Sequence, residues 1–345
     1  MADTVSLLTA SDIDGRGYGG LLREDVMDKI WDISKIPLPF TDLIGTEKST
    51  HPYKEWTIDT LASPDLTNAV KDGADTTSDN DQVLGYRNGN HHQISTKTVQ
   101  VSTRSQSTNN IGRSNELAYQ VMRRQQELRR DVEAIALSNQ SSLADDGGTN
   151  AGTVGGLPGW LTTNVDKHGS TTGGGFSTTT GLVTKYTTGG TRALTETIIR
   201  NLMQTCYSAG GNPSVLMSVP ALTRRFSEYL FTSSARVATL MSDQGKSGAA
   251  ATAVGAVNVF VTDFGTLKIV PNRIQQLYST TRCDVFLLDP SYLAFSYLKG
   301  YRTEELAKTG LADKRQMSVD WTLCVFNEAA HALAADIGST TTVTA

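Results

Sequence analysis

The stretch SNELAYQVMRRQQELRRDVEAIALSNQ, residues 114–140, decides how the rest of the chain is read. Leu117, Val121, Leu128, Val132 and Ile135 recur at spacings of four, seven, four and three, which puts them on one face of an α-helix. Ser114, just ahead of Glu116, is the expected N-cap. A helix of about 24 residues would run roughly 36 Å, longer than most globular helices and more like a spine. Its remaining faces carry Arg123, Arg124, Arg129 and Arg130 against Glu116, Glu127, Asp131 and Glu133. Two readings of the arginines stay open: a solvated face, or an ionic surface between subunits.

Ahead of the spine, YKEWTIDT (53–60) and QISTKTVQVST (93–103) alternate polar and apolar residues as half-exposed strands do. Between them residues 61–92 form a polar excursion with little to bury. The expectation is a projecting hairpin over 51–110 that needs a partner to pack on, since a lone hairpin is marginal in water. Tyr53, Lys54, Trp56, Lys71 and Arg87 on it, with the four spine arginines, are the candidate contacts between subunits. Residues 1–50 read as an extended arm with one helix, whose Leu22, Val26, Ile30 and Ile33 fall at helical spacing.

After the spine, 26 of the 52 positions from 141 to 192 are Gly or Thr, too few large apolar groups for a core. Within them GLPGWLTTN (156–164) is the exception, because Leu157, Trp160 and Leu161 can anchor the loop to a larger body. From 193 the pattern mixes helices and strands. ALTETIIRNLMQTCYSAGG is an amphipathic helix stopped by glycines, PSVLMSV a buried strand, and PALTRRFSEYL a helix opened by proline. NVFVTDFGTLKIVPNR reads as a hairpin turning at Gly265, and DVFLLDPSYLAFSYLKG as a further strand-rich stretch.

Function classes narrow by what is missing. A net charge of −4 gives no basic surface of the kind that grips nucleic acid. Cys206, Cys283 and Cys324 lack disulfide or zinc-knuckle spacing and read as reduced and buried. No apolar run is long enough to span a bilayer and the N-terminal stretch lacks a signal-peptide pattern, so the expectation is a soluble protein made inside a cell. NEAAH at 327–331 has Asn327 where the zinc-protease pattern needs histidine, and adjacent His91 and His92 would point to opposite faces of a strand. No phosphate loop or GxSxG elbow occurs, and the DFG at 263–265 lacks its kinase companions. No catalytic, cofactor or metal residues are assigned.

The order of parts, and the phrases GLPGWLTTN, VFVTDFGTLKIVPNR, LLDPSYLAFSYL and LAKTGLADKRQMSVDWTLCVFNEAAHALAADI, resemble the major capsid proteins of tailed bacteriophages, the Hong Kong phage type of fold, and among them the subfamily of the phage named SU-ten. The resemblance implies an α+β fold with an N-terminal arm (1–50), an extended hairpin loop (51–110), a spine helix with its Gly/Thr-rich loop in a peripheral domain (111–192), an axial domain (193–264), and a return (265–345) through that domain to peripheral strands and a helix. It implies pentamers and hexamers closing an icosahedral shell around double-stranded DNA in a virion made in the bacterial cytoplasm. Scaffold, portal and decoration proteins are the partners it suggests, with no cofactor, membrane or catalysis. In such a fold SVDWTLCVF would be a strand alternating Val319, Trp321, Leu323 and Val325 against Asp320, Thr322 and Cys324, with NEAAHALAADI packing as a helix near the spine, so that Asp320, Cys324, Glu328 and His331 do not converge. Some capsids of the fold join a loop lysine to an asparagine, which makes Lys54, Lys71, Lys97 and Asn327 the residues to inspect. Outside that resemblance, a secreted binding module using the Thr/Gly loops and an unrecognised hydrolase are the alternatives.

Overall fold

The computed structural model describes residues 37–73, 75, 84–108, 110–169, 174–230, 259–275 and 282–338. The helix expected at 22–33 lies outside them. In chain order the elements are α1 (Pro39–Leu43), β1 (Gly45–Lys48), β2 (Tyr53–Ile58), β3 (Tyr86–His91), β4 (Gln93–Ser102), α2 (Thr103–Ser107), α3 (Glu116–Ala136), α4 (Leu157–Trp160), β5 (Val165–Asp166), β6 (Gly175–Ser177) and β7 (Leu182–Thr184). They continue with α5 (Glu196–Ser208), β8 (Val215–Ser218), α6 (Pro220–Leu230), β9 (Val259–Thr262), β10 (Gly265–Pro271), β11 (Arg282–Leu288), β12 (Leu293–Glu305), β13 (Ala312–Val325) and β14 (Ala332–Gly338).

The spine is α3, 21 residues long. Its cap is Asn115 rather than Ser114, for the Asn115 side chain accepts from Ala118 N at 3.0 Å. The apolar stripe faces as its spacing predicts: Leu128, Val132 and Ala136 are buried, and Leu117, Val121 and Ile135 pack at the margin of the same core. Glu133, expected on the polar side, is fully buried.

Two sheets flank this helix. The four-stranded sheet runs β1-β12-β13-β4 and sends Val99, Val101, Phe295, Met317, Val319, Trp321 and Leu323 into the spine's core. The six-stranded sheet runs β5-β14-β11-β8-β10-β9, and its central strands are covered on both faces. Its alternation sorts residues between two cores. Met217, Phe286, Leu288, Leu333 and Ala335 join the core of the spine, whereas Leu216, Val285, Leu287, Ala332 and Ala334 join a second core built on Ile199, Leu202, Met203 and Cys206 of α5. Leu157, Trp160 and Leu161 are buried in the first core and anchor their loop as expected.

Two expectations need correction. First, β2 pairs with β3, Tyr53 opposite His91 and Ile58 opposite Tyr86. The strand at 93–102 exists but pairs with β13, from Gln93 opposite Trp321 to Ser102 opposite Ala312. The projecting hairpin therefore ends at His91, not at 110. Second, residues 327–337 contain no α-helix. Asn327 caps a single 3-10 turn at Glu328–Ala330, accepting from Ala329 N at 3.1 Å, and the chain then extends as β14 between β11 and β5. The expected, approximate boundary at 264 falls within the β9–β10 hairpin, where Thr262 pairs with Gly265 and Gly265 takes a φ of 153°, as suits a chain that returns through the same domain after it. Residues on both sides of that boundary belong to one sheet.

Candidate functional site

Among the described residues the polar side chains singled out in the sequence do not converge, so the functional question is which surfaces lie open to solvent. The β2–β3 hairpin is built in two unlike halves. Its base is held by polar side chains: Asn88, Asn90 and His92 recur every second residue and are all buried. Asn90 Nδ2 donates to Leu323 O at 2.8 Å and Gly155 O at 3.2 Å, and Asn90 Oδ1 accepts from Gly155 N at 2.9 Å. His92 Nδ1 lies 3.1 Å from Asp320 Oδ1, while burial pushes its pKa below the usual histidine value. The other half, residues 59–73 with 84 and 85, has no helix or strand and is exposed throughout, including Leu61, Leu66, Val70 and Leu84.

The candidate contact residues divide between these halves. Trp56 turns inward, its ring 5.4 Å from that of Trp160 and 6.1 Å from that of Phe326. Tyr53 lies across the hairpin over Gly89, where a Cβ would stand 2.5 Å from the Tyr53 ring, and its hydroxyl donates to Gly181 O at 3.0 Å. Ile58 is buried as well. Tyr53 and Trp56 were expected to find their packing on a neighbour. They find it in their own subunit, because β3 and the Gly/Thr-rich loop reach them first. Lys54 sits 3.5 Å from Glu47, Arg87 sits 3.6 Å from Glu55 with most of its side chain in solvent, and Lys71 is exposed on the tip.

On the spine, Arg123 is exposed and Arg124 pairs with Glu127 one turn away. Arg129 lies over the Tyr301 ring at 5.4 Å, a contact within the subunit that the helix pattern alone does not show. Arg130 is half-buried, and its Nε is buried without a hydrogen bond. The helix thus presents Arg123 and Arg124 outward, whereas Arg129 is partly committed to the four-stranded sheet.

Glu133 explains how the arm reaches the spine. Its carboxylate accepts from Phe40 N at 3.4 Å, Thr41 N at 3.0 Å, Thr41 Oγ1 at 2.8 Å and Asn272 Nδ2 at 2.8 Å. The first turn of α1 has no side-chain cap of its own, so a carboxylate from another helix satisfies it. Asn272 Oδ1 in turn accepts from Ile274 N at 2.8 Å, which joins arm, spine and six-stranded sheet at one buried point. Sequence reading placed Glu133 among the solvated charges. The available signal was its position beside Val132 and one turn before Leu137, at the edge of the apolar stripe.

The polar residues of 318–337 go to separate partners, as expected. Asp320 meets His92, Glu328 accepts from Thr162 N at 3.0 Å and Thr163 N at 3.2 Å, and His331 Nδ1 accepts from Asp289 N at 3.2 Å. Burial lowers the His331 pKa to about 4, so the ring is neutral near pH 7. The three cysteines are free and buried, and burial raises their thiols to about 11 for Cys206 and about 12 for Cys283 and Cys324. Lys97 is engaged with Asp131 at 2.6 Å and Asn327 with its own turn. Among the described residues no group of three or more His, Cys, Asp or Glu could hold a metal, and no helix is long and apolar enough to cross a membrane.

A second exposed turn lies at the end of the four-stranded sheet. Beyond Lys299 β12 is exposed while β13 stays paired with β4, and the turn joining them is laced by Arg302–Glu304 at 3.2 Å, Arg315–Glu305 at 2.9 Å and Lys308–Asp313 at 2.9 Å, with Leu311 exposed at its end.

Known proteins share this architecture and part of the sequence. The chain is similar to the "Major capsid protein" of Escherichia phage Phieco32, 30% identical over 215 residues, which is 54% of this chain and 61% of that protein's length. Its structure is similar to the capsid of a native GTA particle, with a TM-score of 0.61 at 9% identity over 93% of this chain and 97% of the other. It is also similar to the holo-SrpI encapsulin complex of Synechococcus elongatus, with a TM-score of 0.51 at 12% identity over 93% and 95%. Such low identities establish the fold alone, the α+β fold of phage capsids and encapsulins. The family model for the SU10 major capsid protein matches residues 6–338, and the chain belongs to that family.

Proposed function

We propose that this chain is the repeating subunit of a phage head, that it forms pentamers and hexamers, and that these close an icosahedral shell around double-stranded DNA. The observation that carries this reading is the hairpin tip: Leu61, Leu66, Val70 and Leu84 lie almost wholly in solvent on a chain of a capsid family. A lone subunit gains nothing by displaying them, whereas a closed lattice buries them at every contact. In this reading residues 1–50 are the arm, the spine and the four-stranded sheet form the peripheral domain, and the six-stranded sheet with α5 and α6 forms the axial domain. The chain acts by enclosing rather than catalysing. At −4 per subunit it encloses DNA without gripping its sequence. Lys71, Arg87, Arg123 and Arg124 are the charged contacts offered to neighbours, and scaffold, portal and decoration proteins are the further partners of the particle, which assembles in the bacterial cytoplasm. Sedimentation and electron microscopy of the purified chain test the reading. Capsomers or closed particles are expected; a chain that stays monomeric at high concentration, alone and with its phage's other head proteins, contradicts it.

A further inference from the structure

The hairpin joins the body of the subunit through a narrow neck. β3 ends at His91 and β4 begins at Gln93, so His92 alone separates a strand of the hairpin from a strand of the four-stranded sheet. On the other side residues 49–52 separate β1 of that sheet from β2 of the hairpin. His92 N donates to Pro52 O at 2.8 Å and ties the two crossings together. A change of backbone dihedrals at these few residues is enough to turn the hairpin on the sheet.

We propose that His92 is a proton-operated latch: neutral, it holds the base of the hairpin down on β13, and protonated, it favours a hairpin lifted from the sheet. Its Nδ1 stands 3.1 Å from Asp320 Oδ1 of β13, and beside a carboxylate the neutral ring carries its proton on Nδ1. Nε2 is then a bare acceptor in the interior, with no hydrogen-bond partner in the protein. A second proton would go there, placing a donor and a charge on a residue only 7% exposed. The base is poised for release on other grounds as well. Trp56 and Asn88 stand opposite each other on β2 and β3, and Trp56 Nε1 and Asn88 Oδ1 are likewise buried without a protein partner. Docking therefore leaves polar atoms unpaired that a lifted hairpin would give to water.

The groups around His92 set the sign. Burial opposes the charged ring most, Asp320 of β13 favours it, and Lys54 of β2 and His51 of the turn before it oppose it. Lys54 is itself held 3.5 Å from Glu47 of β1, Lys299 of β12 stands opposite Asp320, and Asp145 lies on the loop whose Gly152 packs against the His92 carbonyl. The balance holds the pKa of the docked ring below its ordinary 6.5. The lifted hairpin, with the ring in water, takes the proton first. The stability that the latch gives the docked base is thus complete above pH 6.5 and is lost as pH falls below it. The device belongs to one subunit and stands apart from the shell reading.

The test is hydrogen exchange on the full chain across this pH range, at a dilution where sedimentation shows one species throughout. The probe is the amide of Gly155, which donates to Asn90 Oδ1 of the docked hairpin at 2.9 Å. Its protection, measured against that of α5, should fall by up to about tenfold for each pH unit below 6.5, the limit for one proton. His92→Asn, whose amide can donate to Asp320 but cannot titrate, should remove this fall. Asp320→Asn should deepen it, because the charged ring loses the carboxylate that favours it. His91→Asn, on the opposite face and 4.5 Å from the Tyr53 ring, should leave it in place. A flat profile in the unaltered chain overturns the proposal, as does a fall that persists in His92→Asn or disappears in His91→Asn. If His92→Asn does not fold, the Asp320→Asn profile and histidine NMR of the unaltered chain decide. An unchanged profile in Asp320→Asn, or a His92 ring that titrates at or above 6.5, overturns the latch.

Discussion

The six-stranded sheet and the β2–β3 hairpin are both β structure, yet they solve opposite problems. Each strand of the sheet's centre is covered twice, and Phe286 and Leu287, consecutive residues of β11, are both fully buried in different cores. The hairpin has one covered half and one bare half, with polar Asn88, Asn90 and His92 turned inward from one strand beside Trp56 and Ile58 from the other. The sheet's stability is settled inside the subunit. The tip's stability has to come from elsewhere, so a change in the sheet should act on folding and a change in the tip on assembly.

The largest effect is expected at the junction of sheet and spine. Leu128 is fully buried, and Leu128→Asp would bury an unpaired charge at a cost of several kcal/mol, comparable to the whole stability of a domain. No soluble folded chain should be recovered; normal folding would mean that the helix faces another way. Glu133→Ala comes next. It strands the buried Phe40 N and Asn272 Nδ2, and at about 1–3 kcal/mol for each orphaned group the loss is about 2–6 kcal/mol. Urea unfolding should shift by that amount, with faster amide exchange in Phe40–Leu43; an unchanged midpoint would show that the arm does not depend on the carboxylate.

Acidification follows. The His331 pKa is lowered from 6.5 to about 4 because its ring is buried neutral. The unfolded chain binds that proton first, so the stability from the neutral ring is complete above pH 6.5 and lost as pH falls toward 4, on the order of 3 kcal/mol in all. His331→Asn, whose amide oxygen can accept from Asp289 N in place of Nδ1, should flatten this part of the pH profile. Equal profiles for the two proteins would remove His331 from the account. The smallest effect on subunit stability is expected from Arg129→Glu, within about 1 kcal/mol, since it exchanges one exposed cation over the Tyr301 ring. A loss above 2 kcal/mol by urea unfolding would make that contact structural.

The same contrast explains what could be read in the residues. The spine was legible because Leu128 and Val132 obey a period that only a helix satisfies, β8 and β11 were legible as apolar runs, and β9 and β10 as an alternating hairpin. β3 was not. YRNGNH places Asn88 and Asn90 where a strand normally shows valine or isoleucine, and Asn90 is satisfied only by Gly155 O and Leu323 O, from distant segments. β14 misled for the opposite reason. Ala332, Ala334 and Ala335 favour a helix locally, but two cores close in on that stretch and small side chains in an extended chain fit between them. Glu133 was hidden because its partners Thr41 and Asn272 are about 90 and 140 residues away, beyond any local pattern. Contact residues were the least legible. Tyr53 and Trp56 look like interface aromatics until β3 and the Trp160 loop are seen to cover them.

The central claim is that the tip holds copies together and contributes nothing to the fold of one copy. Replacing residues 61–84 with a short Gly-Ser turn between β2 and β3 tests it directly. Urea unfolding should match the unaltered subunit to within about 1 kcal/mol, the usual scale of surface changes, while electron microscopy shows no closed particles. Normal closed particles from the shortened chain would contradict the account.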